Sequence, residues 1–172
     1  MEKIAILYGP SGGNTEKAAR MVAEAFGPEL AVLMHIRDAG EKDLAPFNKI
    51  VLGGPTVGAN VWSDTAAGDW DTFLTRLYKM DLTGKTCAIF GLGDQVSYGF
   101  HFVDDIRTIY DKLVEGGARM IGKVSAEGYQ FDESKALLEG SFLGLPLDED
   151  NEPELTMPRI LSWVDQLLKE FN

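Results

Sequence analysis

"KIAILYGPSGGNTEKAARMVAEAF" (3–26) decides the fold. It opens with an apolar run that does not alternate, which is how a strand covered on both faces reads. A stretch with three glycines and a proline follows, "GPSGGNTEK" (9–17), and then Ala18, Val22, Ala25 and Phe26 recur at helical spacing. Strand, glycine-rich loop and amphipathic helix in that order form the opening unit of a parallel sheet with a helical crossover.

The unit repeats along the chain. Further uninterrupted apolar runs are "LAVLMHI" (30–36), "KIVLGG" (49–54), "TCAIFG" (86–91) and "ARMIGKV" (118–124). Helical stripes lie between and after them: Trp70, Phe73, Leu74 and Leu77; then Phe102, Ile106, Ile109 and Leu113; and finally Ile160, Leu161, Val164, Leu167, Leu168 and Phe171. Thr156 is the expected N-cap of the last helix, with Pro158 in its first turn. Strands alternating with helices predict a doubly wound α/β sheet with helices on both faces. The 172 residues fit one domain, and no linker, repeat or low-complexity stretch divides them.

Composition narrows the functional classes. With 45% apolar and 25% charged residues, the balance is that of a soluble globular protein. No apolar window is long enough to span a bilayer, and the N-terminus lacks the pattern of a signal peptide, so a cytoplasmic location is expected. Cys87 is the single cysteine and lies in an apolar run, which predicts a buried core thiol. Two histidines and one cysteine make no metal site, and His35 reads as a structural histidine. Twenty-seven acids against 16 bases give a net charge of −11. That charge argues against nucleic acid or an anionic membrane as a partner and suits docking on a basic surface, or plain solubility.

In doubly wound sheets ligands bind beyond the carboxyl ends of the strands, where strand order reverses. The first loop suits a phosphate, because glycines let backbone N–H groups turn inward toward a helix N-terminus. Its spacing excludes both a Walker A loop and a G-x-G-x-x-G dinucleotide fingerprint. A ligand-free glycine turn is the alternative for this loop taken by itself.

"YGPSGGNTEKAA" resembles the phosphate loop of the flavodoxins, "IFGLGDQVSYGFHFVDD" is similar to their second flavin loop, and "SAEGYQFDESKALLEGSFLGLPLDEDNEPELTMPRILSWVDQLL" is similar to the extra segment and final helix of the long-chain type. The resemblance runs over essentially the whole chain. It implies a flavodoxin-like three-layer sandwich: a five-stranded parallel sheet of order 2-1-3-4-5, helices on both faces, and an insertion in the last strand at about 127–147. In that fold FMN lies at the switch point between the first and third strands.

By the same resemblance, Ser11, Gly12, Gly13, Asn14 and Thr15 would hold the FMN phosphate. The chain departs from the family's hydroxyl-rich pattern at Pro10, which offers neither N–H nor hydroxyl, and at Gly12. Backbone donors would then carry the dianion, in keeping with the lack of Lys or Arg between Lys3 and Lys17. Pro55, Thr56, Val57 and Gly58 would lie against the isoalloxazine. Val57 stands where relatives commonly have a tryptophan, and either Trp62 covers that face or Val57 leaves it barer. Gly58 would permit a peptide flip whose carbonyl accepts the N5–H of the half-reduced flavin. Leu92, Gly93 and Asp94 would meet the pyrimidine edge, and Tyr98 would stack on the other face. The alternatives are a turn for Gly58 and Gly93, a cap or solvated acid for Asp94, and core packing for Trp62 and Tyr98. His101 reads as an exposed helix-start residue.

The implied function is one-electron transfer at low potential by an FMN-containing carrier with no catalytic residue of its own. Its partners would be redox proteins with basic docking surfaces, such as a pyruvate oxidoreductase or a ferredoxin–NADP reductase, and the carrier itself a monomer. Acids of the inserted segment either join the docking face or form a solvated loop. An FMN-dependent NAD(P)H–quinone reductase on the related fold is the rival enzyme. A receiver-like signalling module would need acids after the first strand, and "YGPSGG" has none.

Overall fold

The computed structural model describes residues 1–55 and 64–172. In chain order, β1 (Ile4–Tyr8), α1 (Asn14–Phe26), β2 (Ala31–His35), a 3-10 turn (Ile36–Asp38), the short α2 (Glu41–Leu44) and β3 (Lys49–Gly54) are followed by α3 (Asp64–Tyr78), β4 (Thr86–Leu92) and α4 (Asp104–Glu115). Then come β5 (Arg119–Met120), β6 (Val124–Ser125), β7 (Leu137–Leu138), β8 (Ser141–Phe142), β9 (Leu145–Leu147) and α5 (Pro153–Glu170).

The main sheet runs β2-β1-β3-β4-β5, with every pair parallel and β9 also paired to β4. This is the 2-1-3-4-5 order expected from the sequence, with the last strand made of two pieces, β5 and β9. Side chains of successive strand residues leave opposite faces. Ala5, Leu7, Ile50, Leu52, Cys87 and Ile89 pack against α3 and α4, whereas Ile4, Ile6, Val51, Ala88, Phe90 and Leu92 pack against α1 and α5. Burial pushes the Cys87 thiol up to about 12, so it is an inert core residue.

Three local readings are corrected. "ARMIGKV" is not one strand. Gly122 has φ +85, which breaks the extended backbone, and Val124 belongs to the small antiparallel sheet β6-β8-β7. The polar groups of Gly122 are taken by the last helix: its N–H donates to Glu170 Oε2 (2.7 Å) and its carbonyl accepts from Trp163 Nε1 (2.9 Å). The residues between β5 and β9 are 121–144, where the sequence suggested an insertion at about 127–147. Finally, α5 begins at Pro153 with Glu152 as N-cap, so Thr156 and Pro158 lie inside it. Of the expected stripe Ile160, Val164, Leu167 and Phe171 are buried and Leu168 is partly so, whereas Leu161 is 49% exposed and Trp163 takes a place on the buried face. Thr156 Oγ1 is buried without a hydrogen-bond partner among the described residues.

The inserted segment returns to the sheet by packing. Phe131 stacks on Phe102 with ring centroids 5.6 Å apart, and Phe142 meets Phe102, Tyr129 and Phe131 at 5.8, 5.3 and 5.1 Å. This aromatic group joins the α3–α4 core.

Candidate functional site

Register places the site. Tyr8 pairs with His35 on one side and Gly53 on the other, and Gly54 pairs with Gly91. The carboxyl ends of β1, β3 and β4 are therefore neighbours, and the loops leaving them open on one edge of the sheet. The chain crosses from β1 to β2 on one side and then returns past β1 to β3 on the other, so the strand order reverses here and this is the switch point.

The first loop spans the end of β1 and the start of α1. Ser11, Gly12, Gly13 and Asn14 are exposed, and Thr15 is buried. Gly12 has φ +84, a conformation that a side chain would strain. Gly13 is the N-cap and has no side chain with which to satisfy the first N–H groups of α1. One loop donor already holds an anionic oxygen: Gly12 N–H donates to Glu16 Oε2 at 2.9 Å. Tyr8 OH donates to Glu16 Oε1 at 3.1 Å and Arg20 Nη2 lies 3.3 Å from it. The Gly12 hydrogen bond, then the one from Tyr8, hold the Glu16 carboxyl below its usual range. An oxyanion thus suits the donors this loop presents. Behind the loop, Trp70 Nε1 donates to Gly9 O at 2.8 Å, which ties α3 to the end of β1.

Of the second loop, Pro55 is buried at the end of β3. Thr56, Val57, Gly58 and Trp62 lie outside the described residues. Beside Gly54 stands Asp105, in the first turn of α4. Burial, and then the neighbouring Asp104 carboxylate, push the Asp105 carboxyl up to about 8.

The third loop follows β4. Leu92 is buried in the sheet. Gly93 is glycine for packing: a Cβ there would lie 2.7 Å from the Phe102 ring and 2.8 Å from Val103 Cγ1. The close approach it permits is thus to the protein's own core. Asp94 acts as a cap, its Oδ1 accepting from Val96 N (3.0 Å), Ser97 N (2.8 Å) and Asn151 Nδ2 (2.8 Å). Partial burial opposes ionisation of Asp94, but the hydrogen bonds from Ser97, Asn151 and Val96 outweigh it and hold the carboxyl below its ordinary value. Tyr98 is 40% exposed, so it is not a core residue and its ring is presented at the loop surface. His101 shares a 3.1 Å contact with Asp104 Oδ2 at the start of α4.

His35 is structural. Its Nδ1 accepts from Arg37 N at 3.1 Å, its ring meets Tyr8 edge-on at 5.2 Å, and burial followed by the Arg37 charge lowers its pKa. Among the described residues no group of His, Cys, Asp and Glu can hold a metal ion.

Two parts of the site were not singled out by sequence reasoning. Glu16, read from the sequence as part of the loop, sits in the first turn of α1, and Gln95 is buried in the third loop against Asp148, 53 residues away. The Gln95–Asp148 separation carries no signal, because that contact is made by the fold; Glu16, three residues after the N-cap Gly13, is where an acid can reach back to a loop N–H, and that spacing could have found it.

A doubly wound sheet of order 2-1-3-4-5, with a glycine-rich loop leaving its first strand at the switch point, defines an α/β protein of the flavodoxin-like class. The family model for flavodoxin matches residues 6–163. A flavodoxin of Buchnera aphidicola is 42% identical over all of this chain and 99% of its own length, and one of Nostoc is 38% identical over 99% of this chain and 98% of its own. The crystal structure of Fusobacterium nucleatum flavodoxin bound to flavin mononucleotide superposes with a TM-score of 0.89, at 31% identity and covering 100% of both chains. The chain belongs to the flavodoxin family. Its function is electron transfer, and the quinone-reductase reading is not favoured by these relatives. No helix among the described residues is long and apolar enough to cross a membrane.

Proposed function

We propose that this flavodoxin holds its FMN across the loops that leave β1, β3 and β4 and passes electrons singly between larger redox proteins. The observation that carries the placement is the oxyanion seat of the first loop, at the edge where the ends of β1, β3 and β4 lie side by side. Backbone N–H groups of Ser11, Gly12, Gly13, Asn14 and Thr15 would hold the phosphate, with the N-terminal end of α1 adding its favourable field. Pro55, Thr56, Val57, Gly58 and Trp62 would line one side of the ring system. Leu92, Gly93 and Asp94 would border its pyrimidine edge, and Tyr98 the opposite face.

FMN supplies the redox chemistry when bound, and the chain supplies position and field. Exposed Asp132, Glu133 and Asp150 surround the third loop. Burial, then the charges of Asp94, Asp148 and Glu149, raise the Asp150 carboxyl, a sign of how densely negative charge is gathered there. Such a field makes a further negative charge at the site costly and so lowers the potential for the second electron. The same acids suit weak, salt-sensitive docking on a basic face, as a pyruvate oxidoreductase-like or ferredoxin–NADP reductase-like partner would offer. The carrier would act as a monomer in the cytoplasm.

The test is to titrate the apoprotein with FMN and reduce the complex stepwise without oxygen. Stoichiometric binding with a distinct spectrum at the one-electron stage is expected. A protein that binds FMN but bleaches in a single two-electron step would overturn the carrier reading.

A further inference from the structure

The third loop carries its exposed residues between two anchors. Val96 is 77% exposed and Tyr98 is 40% exposed, yet Gln95, next to Val96, is only 5% exposed. Gly99, on the far side, is buried, and its carbonyl accepts from both Asp132 N and Glu133 N at 2.8 Å. The residues that make both anchors lie far along the chain, in the inserted segment and in the turn before α5.

Gln95 commits its backbone N–H and both ends of its side-chain amide to that connection. Its backbone N–H donates to Asp148 Oδ2 at 3.0 Å. Its Nε2 donates to Asp148 Oδ2 at 2.9 Å and to Glu152 Oε2 at 3.0 Å, and its Oε1 accepts from Gln130 N–H. Two carboxylates on one side and an N–H donor on the other fix which way the amide points. Asp148 is fully buried and also accepts from Asp150 N and Asn151 N, at 3.2 and 3.0 Å. Glu152 pairs with Arg159 at 2.8 Å, and Arg159 lies over the Tyr129 ring at 4.2 Å. The Tyr129 hydroxyl donates to Pro146 O at 2.7 Å. A closed circuit of polar contacts thus runs from the third loop through the turn before α5 to the inserted segment and back.

We propose that Gln95 is a positioning residue: through Asp148, Glu152 and Gln130 it fixes the loop at 91–100 in the shape that receives the flavin ring. The inserted segment is then part of the cofactor site without touching the cofactor. This rests on the reading that the third loop meets the ring system and the first loop the phosphate. The chemistry explains why glutamine is required. Only a neutral amide can donate to two carboxylates while accepting from a backbone N–H, and without it Asp148 keeps its Asp150 and Asn151 donors and Glu152 keeps Arg159, but nothing joins either of them to the third loop.

The discriminating variant is Gln95→Glu, which keeps the shape but donates only when protonated. FMN and riboflavin, which lacks the phosphate, are titrated against wild-type and variant apoproteins from about pH 8 down to about pH 5.5, a range in which a crowded carboxyl gains its proton. The expected result is a loss of about tenfold in affinity for both ligands at the alkaline end, the size of one buried hydrogen bond. Their ratio should stay unchanged, and affinity should recover toward wild type as the pH falls. A folded variant that binds riboflavin as the wild type does at every pH would overturn the proposal. So would one that loses FMN alone, since the effect would then lie in the phosphate loop. If Gln95→Glu does not fold, FMN release from the Asp148→Asn holoprotein decides: faster release supports the proposal, and an unchanged rate sinks it. Failure of the wild type to bind either flavin would instead remove the cofactor reading on which the proposal rests.

Discussion

The Glu16 carboxylate sits on the backbone N–H of Gly12, 2.9 Å away, in the loop whose donors suit a phosphate. Two anions cannot share that donor without repulsion, so the carboxylate has to yield as a phosphate enters. Glu16→Gln keeps an acceptor for Gly12 but removes the charge. Its affinity for FMN should rise by about fivefold while that for riboflavin stays level, since only the former brings a phosphate. Equal shifts for the two ligands in parallel titrations would mean that Glu16 shapes the loop and does not compete for it.

Asp105 supplies a pH signature. Its folded-state pKa of about 8 lies above the ordinary 3.8, so between those values the unfolded chain has released a proton that the folded chain keeps. The unfolded state then binds fewer protons, and the Asp105 contribution to stability falls as pH rises from about 4 to about 8 and is level above that. Asp105→Asn should be more stable than wild type at neutral pH by about 1–2 kcal/mol, with the gap closing toward pH 4. Urea midpoints of the pair across this range test it, and a gap that does not depend on pH would show that the carboxyl is not held protonated.

Gly144 precedes β9 and has no room for a side chain. A Cβ there would overlap the carbonyl oxygen of Ile89, a backbone atom of β4 that cannot swing aside. Gly144→Ala should cost about 2–3 kcal/mol, as overpacking at a strand pairing does. Amide exchange at β9 reads it out: protection should drop there before it drops at β1.

Trp70 ties α3 to the first loop through Gly9 O at 2.8 Å. Trp70→Phe leaves the apolar contacts with Phe73 and removes the donor, so about 1–2 kcal/mol of stability should be lost. FMN affinity should drop as well, because Gly9 is the hinge between β1 and the loop. Thermal melts with and without FMN separate the two effects.

The sheet was legible because its central strands are buried on both faces and so read as unbroken apolar runs; "KIAILY", "KIVLGG" and "TCAIFG" became β1, β3 and β4. The outer edge was less legible. "ARMIGKV" looks like a strand by composition, and only the positive φ of Gly122 and its bonds to α5 divide it. The start of α5 was misplaced because Thr156 was taken as the cap, although Pro153 after Glu152 is the better start signal; its buried face was legible except at Leu161 and Trp163. Of the site, the structure shows Asp94 capping its own loop and Tyr98 presented at the loop surface. Gln95 and Asp148 were silent because their contact spans 53 residues, whereas Glu16 stands at a local spacing from Gly12 that could have been read.

The two pieces of the last strand carry a consequence for how this chain can vary. Met120 pairs with Cys87 and Leu145 with Phe90, so along β4 only Ala88 and Ile89 separate them. Viewed from the sheet, the whole excursion from 121 to 144 fills a gap that a two-residue link could bridge. Strand pairing therefore does not set its length; packing does, because Ala136, Phe142 and Leu143 are buried in the α3–α4 core. The same excursion that grips Gln95 and Gly99 through Gln130, Asp132 and Glu133 also supplies Phe131 and Phe142 to the core, so shortening it would loosen the mouth of the site and the α3–α4 layer together.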